Sequence, residues 1–318
     1  MSYTPTLIRG FDSPKKVVDL VPESPRQARL STAGVGRHQF IRRLSRDPGS
    51  LSGVALVAAW VCIALLGPLW VSSPTDQNLS LTLLPPAWLP DGSAAHPLGT
   101  DFLGRDLLSR IVYGARTSLT VSVLAVAGAA VVGSLVGTVA AAWGGLADDL
   151  LMRVADVQLA IPFVLLAITV LVLLGGSTLN MVLVLVLSGW VIFARVIRSE
   201  LLHLREAEFV LAARAVGVSQ IRVALQHLLP NAMGFVVVVA TLELGNVILL
   251  ESALSFIGVG IRPPQVSWGT MLADGRDYLT SAWWLTTLPG AAVTAAIFGV
   301  NLAGDFLRDF LDPRRREF

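Results

Sequence analysis

Stretches of about 20 mostly apolar residues, the length that crosses a bilayer as a helix, recur near residues 51–71, 117–142, 157–175, 179–197, 233–253 and 285–306. The pattern predicts an all-α chain of about six spans. The last window is the weakest, diluted by Thr286, Thr287, Pro289, Asn301 and Asp305. A different periodicity occupies the polar interval 206–230. Phe209, Ala212, Ala213 and Val216 recur at i, i+3, i+4, i+7, which gives residues 206–217 one apolar stripe, with Glu206, Glu208 and Arg214 filling much of the remaining surface. Gly217 fits a helix C-cap. Ser219 can cap a second helix carrying Ile221, Ala224, Leu225 and Leu228, before Pro230 interrupts the spacing. The expected product is a helix, an elbow and a helix between two spans.

Composition agrees with a multi-span membrane protein: of 318 residues 54% are hydrophobic and 14% charged, too few charges to clothe a soluble globule. The Lys and Arg distribution sets the orientation, because positively charged loops stay inside. Residues 1–50 carry nine basic residues (Arg9, Lys15, Lys16, Arg26, Arg29, Arg37, Arg42, Arg43, Arg46), the 194–230 interval five (Arg195, Arg198, Arg205, Arg214, Arg222) and the tail four (Arg308, Arg314, Arg315, Arg316). The intervals 72–114 and 254–284 hold two each, Arg105 with Arg110 and Arg262 with Arg276. Both termini and the elbow are therefore expected inside. The expected organisation is a basic, disordered arm over 1–50, a first span over 51–71, an outer segment over 72–116, a core of about five spans over 117–306 and a cytoplasmic tail over 307–318. The arm's interspersed Asp12, Asp19 and Glu23 favour a topology-fixing leader over a nucleic-acid site. It has no signal-peptide core, so the first span is the expected targeting element.

Several chemistries are disfavoured. Cys62, the sole cysteine, lies within an apolar window, so no disulfide within the chain can form. His38, His96, His203 and His227 show no metal-ligand spacing. With only Lys15 and Lys16, in a segment without phosphate-loop glycines, the chain cannot carry a Gly-x4-Gly-Lys-Ser/Thr loop. No Gly-x-Ser-x-Gly elbow occurs, and the paired acids Asp148 and Asp149 read as a solvated connector. A non-catalytic chain that binds no cofactor is expected.

Four motifs carry a family resemblance. The elbow's Ala212-Ala213, Gly217 and Leu229-Pro230 resemble the EAA-x3-G-x9-I-x-L-P coupling loop of ABC importer permeases. Leu211 replaces its usual Glu and His227 its usual Ile, departures that resemble the AARALG…HILPN version of the dipeptide and oligopeptide branch. Residues 96–119, from His96-Pro97-Leu98-Gly99-Thr100-Asp101 through Gly104-Arg105-Asp106 and Ser109-Arg110 to Ser118-Leu119, resemble that family's HPLGTD-x2-GRD-x-LSR…SL signature. Leu250-Glu251 with Leu254-Ser255-Phe256-Ile257-Gly258-Val259-Gly260, Pro263-Pro264 and Ser267-Trp268-Gly269, and the ending Asn301 to Arg314, are similar to further family stretches. Together the matches run from about residue 40 to the end.

The resemblance is to the second (C-type) permease subunit of the dipeptide, oligopeptide and nickel importers. It implies the type I importer permease architecture in the inner cell membrane, a homologous permease partner, two ATPase subunits or domains holding ATP and Mg, an extracytoplasmic substrate-binding protein and no nucleic acid. The expected ATPase-coupling residues are Glu208, Phe209, Ala212, Ala213, Arg214, Val216 and Gly217. On the outer side, Asp101 to Ser109 can form an interfacial helix with Asp101, Arg105 and Asp106 paired across turns. Trp268, Trp283 and Trp284 suit the bilayer interface. Asp101, Arg105, Asp106, Trp268, Asp274, Arg276 and Asp277 are the expected rim for a docking protein, with Arg276 and both neighbouring acids offering charges.

Glu243, Asn246 and Glu251 fall within the fifth window. A lone mid-bilayer acid costs about 2.5–3.5 kcal/mol on the insertion scale, so such acids face protein or water. At about 100° per residue the three share one broad face, either lining a translocation path or fixing helix packing, and packing is the stronger reading for Glu251. The competing classes are a proton-coupled secondary transporter using Glu243 or Glu251 and a membrane scaffold without flux. No inverted repeat supports the first, and the substrate, peptide, nickel or other, stays open.

Overall fold

The computed structural model describes residues 47–311. Most of the expected basic arm and the end of the expected tail lie outside the described residues. Among the described residues all regular structure is helical apart from one isolated bridge between Thr100 and Asp106.

The order is α1 (Pro48–Leu66), α2 (Leu107–Trp143), α3 (Gly145–Ala160), α4 (Phe163–Leu174), α5 (Thr178–Leu204), α6 (Glu208–Ala215), α7 (Gln220–Val223), α8 (Leu229–Phe256), α9 (Trp268–Gly275) and α10 (Trp284–Leu311). Local chemistry sets several starts. Asp47 accepts from the Gly49 amide at 3.3 Å, with Pro48 opening α1. Asp106 accepts from the Ser109 amide at 2.7 Å at the head of α2, and Ser267 and Thr270 form a reciprocal capping box on α9.

Five spans are long and apolar enough to cross a membrane as single helices, running Pro48–Leu69, Leu107–Trp143, Thr178–Leu204, Gln220–Phe256 and Trp284–Phe310. The expected span near 157–175 is instead the pair α3 and α4, bent by 86°. The residue before a proline is driven out of helical geometry. Ile161, before Pro162, is extended at φ −89°, ψ 124°. Pro230, expected to interrupt a helix, does not. A π-turn over Ala224–Leu228 joins α7 to α8 and widens the coil where the proline enters at the first turn of α8.

The core is built around α2 against α5. Small residues let the backbones meet: a Cβ at Gly133 would stand 2.3 Å from the Trp190 carbonyl oxygen, and one at Gly137 2.4 Å from that of Ala194. Phe193, Ile197 and Leu201 of α5 are buried there with Val121, Ala125 and Ala129 of α2 and Val236 of α8. A second apolar cluster joins α1, the first turns of α2, α9 and α10 through Leu107, Trp268, Met271, Trp284 and Val293. Asp148 is no solvated connector: its carboxylate takes a two-pronged bond from Arg198, with one Nη2 to Oδ2 contact at 2.6 Å, which straps α3 to α5. Arg195 meets Asp156 at 2.6 Å farther along the same pair of helices.

Candidate coupling elbow and outer shelf

At one end of α2 the chain forms the elbow. α6 spans Glu208 to Ala215, shorter than the expected 206–217 helix. Gly217 follows at φ +83°, and the Val218 amide bonds back to the Ala213 carbonyl at 3.1 Å, the Schellman ending that glycine permits. Val210 is fully buried, and Ala213 packs partly against the same core beside Val218 and Val223. Phe209 (45%), Leu211 (52%) and Val216 (80%) stay exposed, as do Glu208 and Ala212. The expected stripe is therefore split, with Ala213 turned toward the core and Phe209, Ala212 and Val216 facing away. Arg214 lies on the same helix. Val210 is the anchor that the stripe template omitted, because its i, i+3 partner is Ala213 alone.

Two further residues that sequence reasoning missed hold the elbow. Arg205 donates from Nη1 to the Ala141 carbonyl at 2.7 Å, and Gln220 donates from Nε2 to the Ala142 carbonyl. These carbonyls belong to the last turn of α2, where a helix leaves its acceptors without internal partners. The elbow is thereby pinned at both flanks to one helix end. No periodicity could reveal this, since the contacts join residues 64 and 78 positions apart.

At the opposite end of α2 the two expected outer intervals come together. Trp284 donates to the Thr100 carbonyl at 3.4 Å, and Phe102 stacks on Tyr278 with ring centroids 5.6 Å apart. The expected interfacial helix over 101–109 is absent: Asp101 to Asp106 is a tight turn, and helix begins at Leu107. Asp101, 1% exposed, accepts from the amides of Leu103 (2.8 Å) and Arg105 (3.0 Å), from Arg105 Nε (2.6 Å) and from Arg110. This use of its oxygens bends the chain back and excludes helix. Asp106 is occupied as the α2 cap and by His96 Nδ1 at 3.0 Å.

The rim expectation changes accordingly. Asp101 is interior. Trp268 is fully buried, its indole donating to the Ile111 carbonyl at 3.1 Å and packing edge-on to Trp60 at 5.0 Å, so it is no interface residue. Asp274, 36% exposed at the side chain, turns its carboxylate to two arginines of this chain instead of leaving it free for a docking protein. It meets Arg110 at 2.9 Å and Arg105 at 3.5 Å, tying α9 to the head of α2. Arg276 and Asp277, 3.4 Å apart, are both exposed and remain the outward charges of this segment.

The intramembrane acids also separate. Glu251 is fully buried and accepts from Ser118 and Ser255, each at 2.9 Å, while the Trp268 amide donates to Ser118 Oγ at 3.3 Å. It fastens α2, α8 and α9 together, so it lines no path. Glu243 is half-buried and accepts from the Asn246 amide at 3.3 Å, with Asn246 exposed.

The comparisons with known proteins agree with this architecture. Residues 106–317 match the family described as the binding-protein-dependent transport system inner membrane component. The chain belongs to this family. It is 38% identical to the dipeptide transport system permease protein DppC of Alkalihalophilus pseudofirmus over 296 residues, 93% of this chain and 95% of the relative. It is likewise 38% identical to the di/tripeptide transport system permease protein DppC of Pseudomonas aeruginosa, over 87% of this chain and 91% of the relative. A solved structure titled as inward-facing conformations of the MetNI methionine ABC transporter superposes with a TM-score of 0.52 at 17% identity, covering 64% of this chain and 96% of that one. This likeness concerns the fold. The family membership makes the chain a multi-pass transport permease, and the recognition of a C-type subunit of the dipeptide branch holds.

Proposed function

We propose that this chain is one of two permease subunits of an ATP-driven importer of di- and oligopeptides in the inner cell membrane. It forms the translocation path with a homologous permease, receives substrate from an extracytoplasmic binding protein and couples to separate ATPase chains through α6. ATP and Mg are held by those partners, and this chain contributes no catalysis of its own. The observation that carries the coupling role is the apolar face of the elbow: Phe209 and Ala212 of α6 and Val216 just past its end stay exposed, while Val210 anchors the opposite side. A structured apolar face at a charged, inside-facing elbow fits a helix that lies in a partner's groove. The identity to dipeptide permeases over nearly the whole chain supports the substrate class. Glu243 with Asn246 is the pair we assign to the path, since both keep accessible polar groups on α8 while Glu251 is buried.

The test is uptake of radiolabelled dialanine by proteoliposomes containing this chain, its partner permease, the ATPases and the binding protein. ATP-dependent uptake is expected, and none without the binding protein. Ala212→Glu places a charge on the exposed face without entering the core, and should lower uptake about tenfold or more, equivalent to ~1.4 kcal/mol of lost coupling, while membrane level and assembly of the two permeases persist. Wild-type uptake by that variant would refute docking through this face, and ion-gradient-driven uptake without ATP would establish a secondary transporter instead.

A further inference from the structure

On the outer side, the loop after α1, the head of α2 and the segment between α8 and α9 enclose a cavity of about 430 Å³. Its wall includes three guanidinium groups, from Arg105, Arg110 and Arg262, and a single acid, Asp274, among the described lining residues. The charge account does not close. Asp101 and Asp274 are each shared between Arg105 and Arg110, and the Arg262 guanidinium has no hydrogen-bond or ion-pair partner among the described residues. Two carboxylates thus serve three cations. Arg110 is fixed behind this opening: its side chain is 4% exposed, with Nη1 on Asp101 and Nη2 on Asp274.

The remaining wall restricts what that acceptor is. Ile261, Pro263, Pro264 and Val266 supply apolar surface, and Gln77 and Gln265 supply amides. Gln265 already accepts from the Thr178 hydroxyl through Oε1, which leaves its N–H groups to donate. Arg262 is itself held in place at the backbone, its amide bonding to the Gly176 carbonyl at 3.2 Å. A bare halide would use the charge and leave the apolar wall idle. An organic carboxylate uses both, since guanidinium groups match its planar pair of oxygens and its carbon chain covers the prolines. The volume lies in the range of small-molecule sites, about 300–1,000 Å³.

We propose that this outer cavity is a carboxylate-binding site, with Arg262 as the accessible guanidinium and Arg105 and Arg110 as the fixed positive wall behind it. The carboxylate comes either from the free C-terminus of a small peptide or from an acidic side chain presented by a docking protein. The site stands on this chain's own residues and is independent of the importer reading.

Arginine modification by phenylglyoxal, followed residue by residue with peptide mass spectrometry on the full-length chain in nanodiscs, reads Arg262 directly. Arg276, exposed and outside the cavity wall, is the internal reference. In a carboxylate-free buffer at constant chloride, dialanine should slow modification of Arg262 about threefold at twice its Kd and leave Arg276 unchanged. Dialanine amide, which lacks the carboxylate, should not protect. Protection of Arg262 by the substrate-free binding protein but not by dialanine would assign the carboxylate to a protein side chain. Equal rates at Arg262 with and without both probes, or equal protection by dialanine and its amide, would overturn the proposal.

Discussion

At the end of α2 expected inside, Phe209 and Ala212 of α6 and Val216 just past it are uncovered, and the elbow is fixed by one buried valine and by hydrogen bonds to two carbonyls of α2. At the outer end, Trp268, Asp101 and Arg110 are each 3% exposed or less, and the acids of the shelf are already spoken for by neighbouring arginines and backbone amides. The first surface is apolar and uncovered among the described residues; the second is polar, its Asp101, Asp274, Arg105 and Arg110 paired with one another and Arg262 alone left open. Exposed apolar area gains free energy when a partner covers it. The paired part of the network resists deformation, and a newcomer gains only at Arg262. On the proposed reading, the elbow is the surface that a partner protein completes and the shelf is the surface that keeps its own shape.

The strongest test of that difference is to break the shelf from within. Arg110→Ala takes from the fully buried Asp101 one of its two guanidinium partners and leaves Arg105 alone to serve both Asp101 and Asp274, and removing one partner of a buried pair costs up to about 3–5 kcal/mol. The expected outcome is a sharp fall in the amount of folded chain recovered from membranes, read by size-exclusion of detergent extracts and by thermal unfolding. Arg276→Ala, a few residues from the same network but exposed, serves as the control and should leave both readings unchanged. Similar behaviour of the two variants would mean that the shelf is not self-supporting.

The elbow permits a comparison within one helix. Val210→Asp puts an unpaired charge into the core beside Ala213 and Val223, and should destabilise the elbow by about 2 kcal/mol or more. Val216→Asp places the same charge on the face directed away from the protein. Limited proteolysis within 205–219 should quicken for Val210→Asp and stay at the wild-type rate for Val216→Asp, while uptake falls for both. If Val216→Asp transported normally, the exposed face would have no coupling role; if it opened the elbow to protease, the division into anchored and free faces would be wrong.

Much of this organisation was legible in the residues, for physical reasons that also mark where legibility ended. Span positions followed from runs of apolar residues, and the Gly217 ending from the geometry that only glycine adopts freely. Hydropathy could not see the 86° break at Ile161-Pro162, since an apolar window reads the same whether straight or bent. The interfacial preference of tryptophan pointed Trp268 to the bilayer surface, although the Ile111 carbonyl gives its indole an internal acceptor. The outer turn was misread as a helix because Asp101 and Arg105 have helical i, i+4 spacing and do pair, at 2.6 Å, but across a turn held by Asp101's acceptance from two amides. Asp274 was expected to offer its charge outward with Arg276, whereas its partners are Arg105 in the turn before α2 and Arg110 on α2, the latter 164 residues away. Local pattern found the elements, and long-range ion pairs chose the faces.

That reassignment moves the smallest expected effect to the pair left facing outward. Arg276 and Asp277 are 57% and 77% exposed at the side chain, 3.4 Å apart. Exposed pairs contribute about 0–1 kcal/mol and are screened by salt. Asp277→Lys should therefore leave thermal unfolding within about 0.5 kcal/mol of wild type. Its effect belongs to encounter: a rim charge alters the rate of association and its salt dependence more than the strength of the final complex. Surface plasmon resonance with the binding protein over nanodiscs should show a changed association rate at low ionic strength that converges on wild type near physiological salt, with dissociation unaltered. Asp274→Lys, by contrast, should lose folded protein, because it sets a third cation against Arg105 and Arg110. Equal stability of these two reversals would show that Asp274 belongs to the outward rim after all.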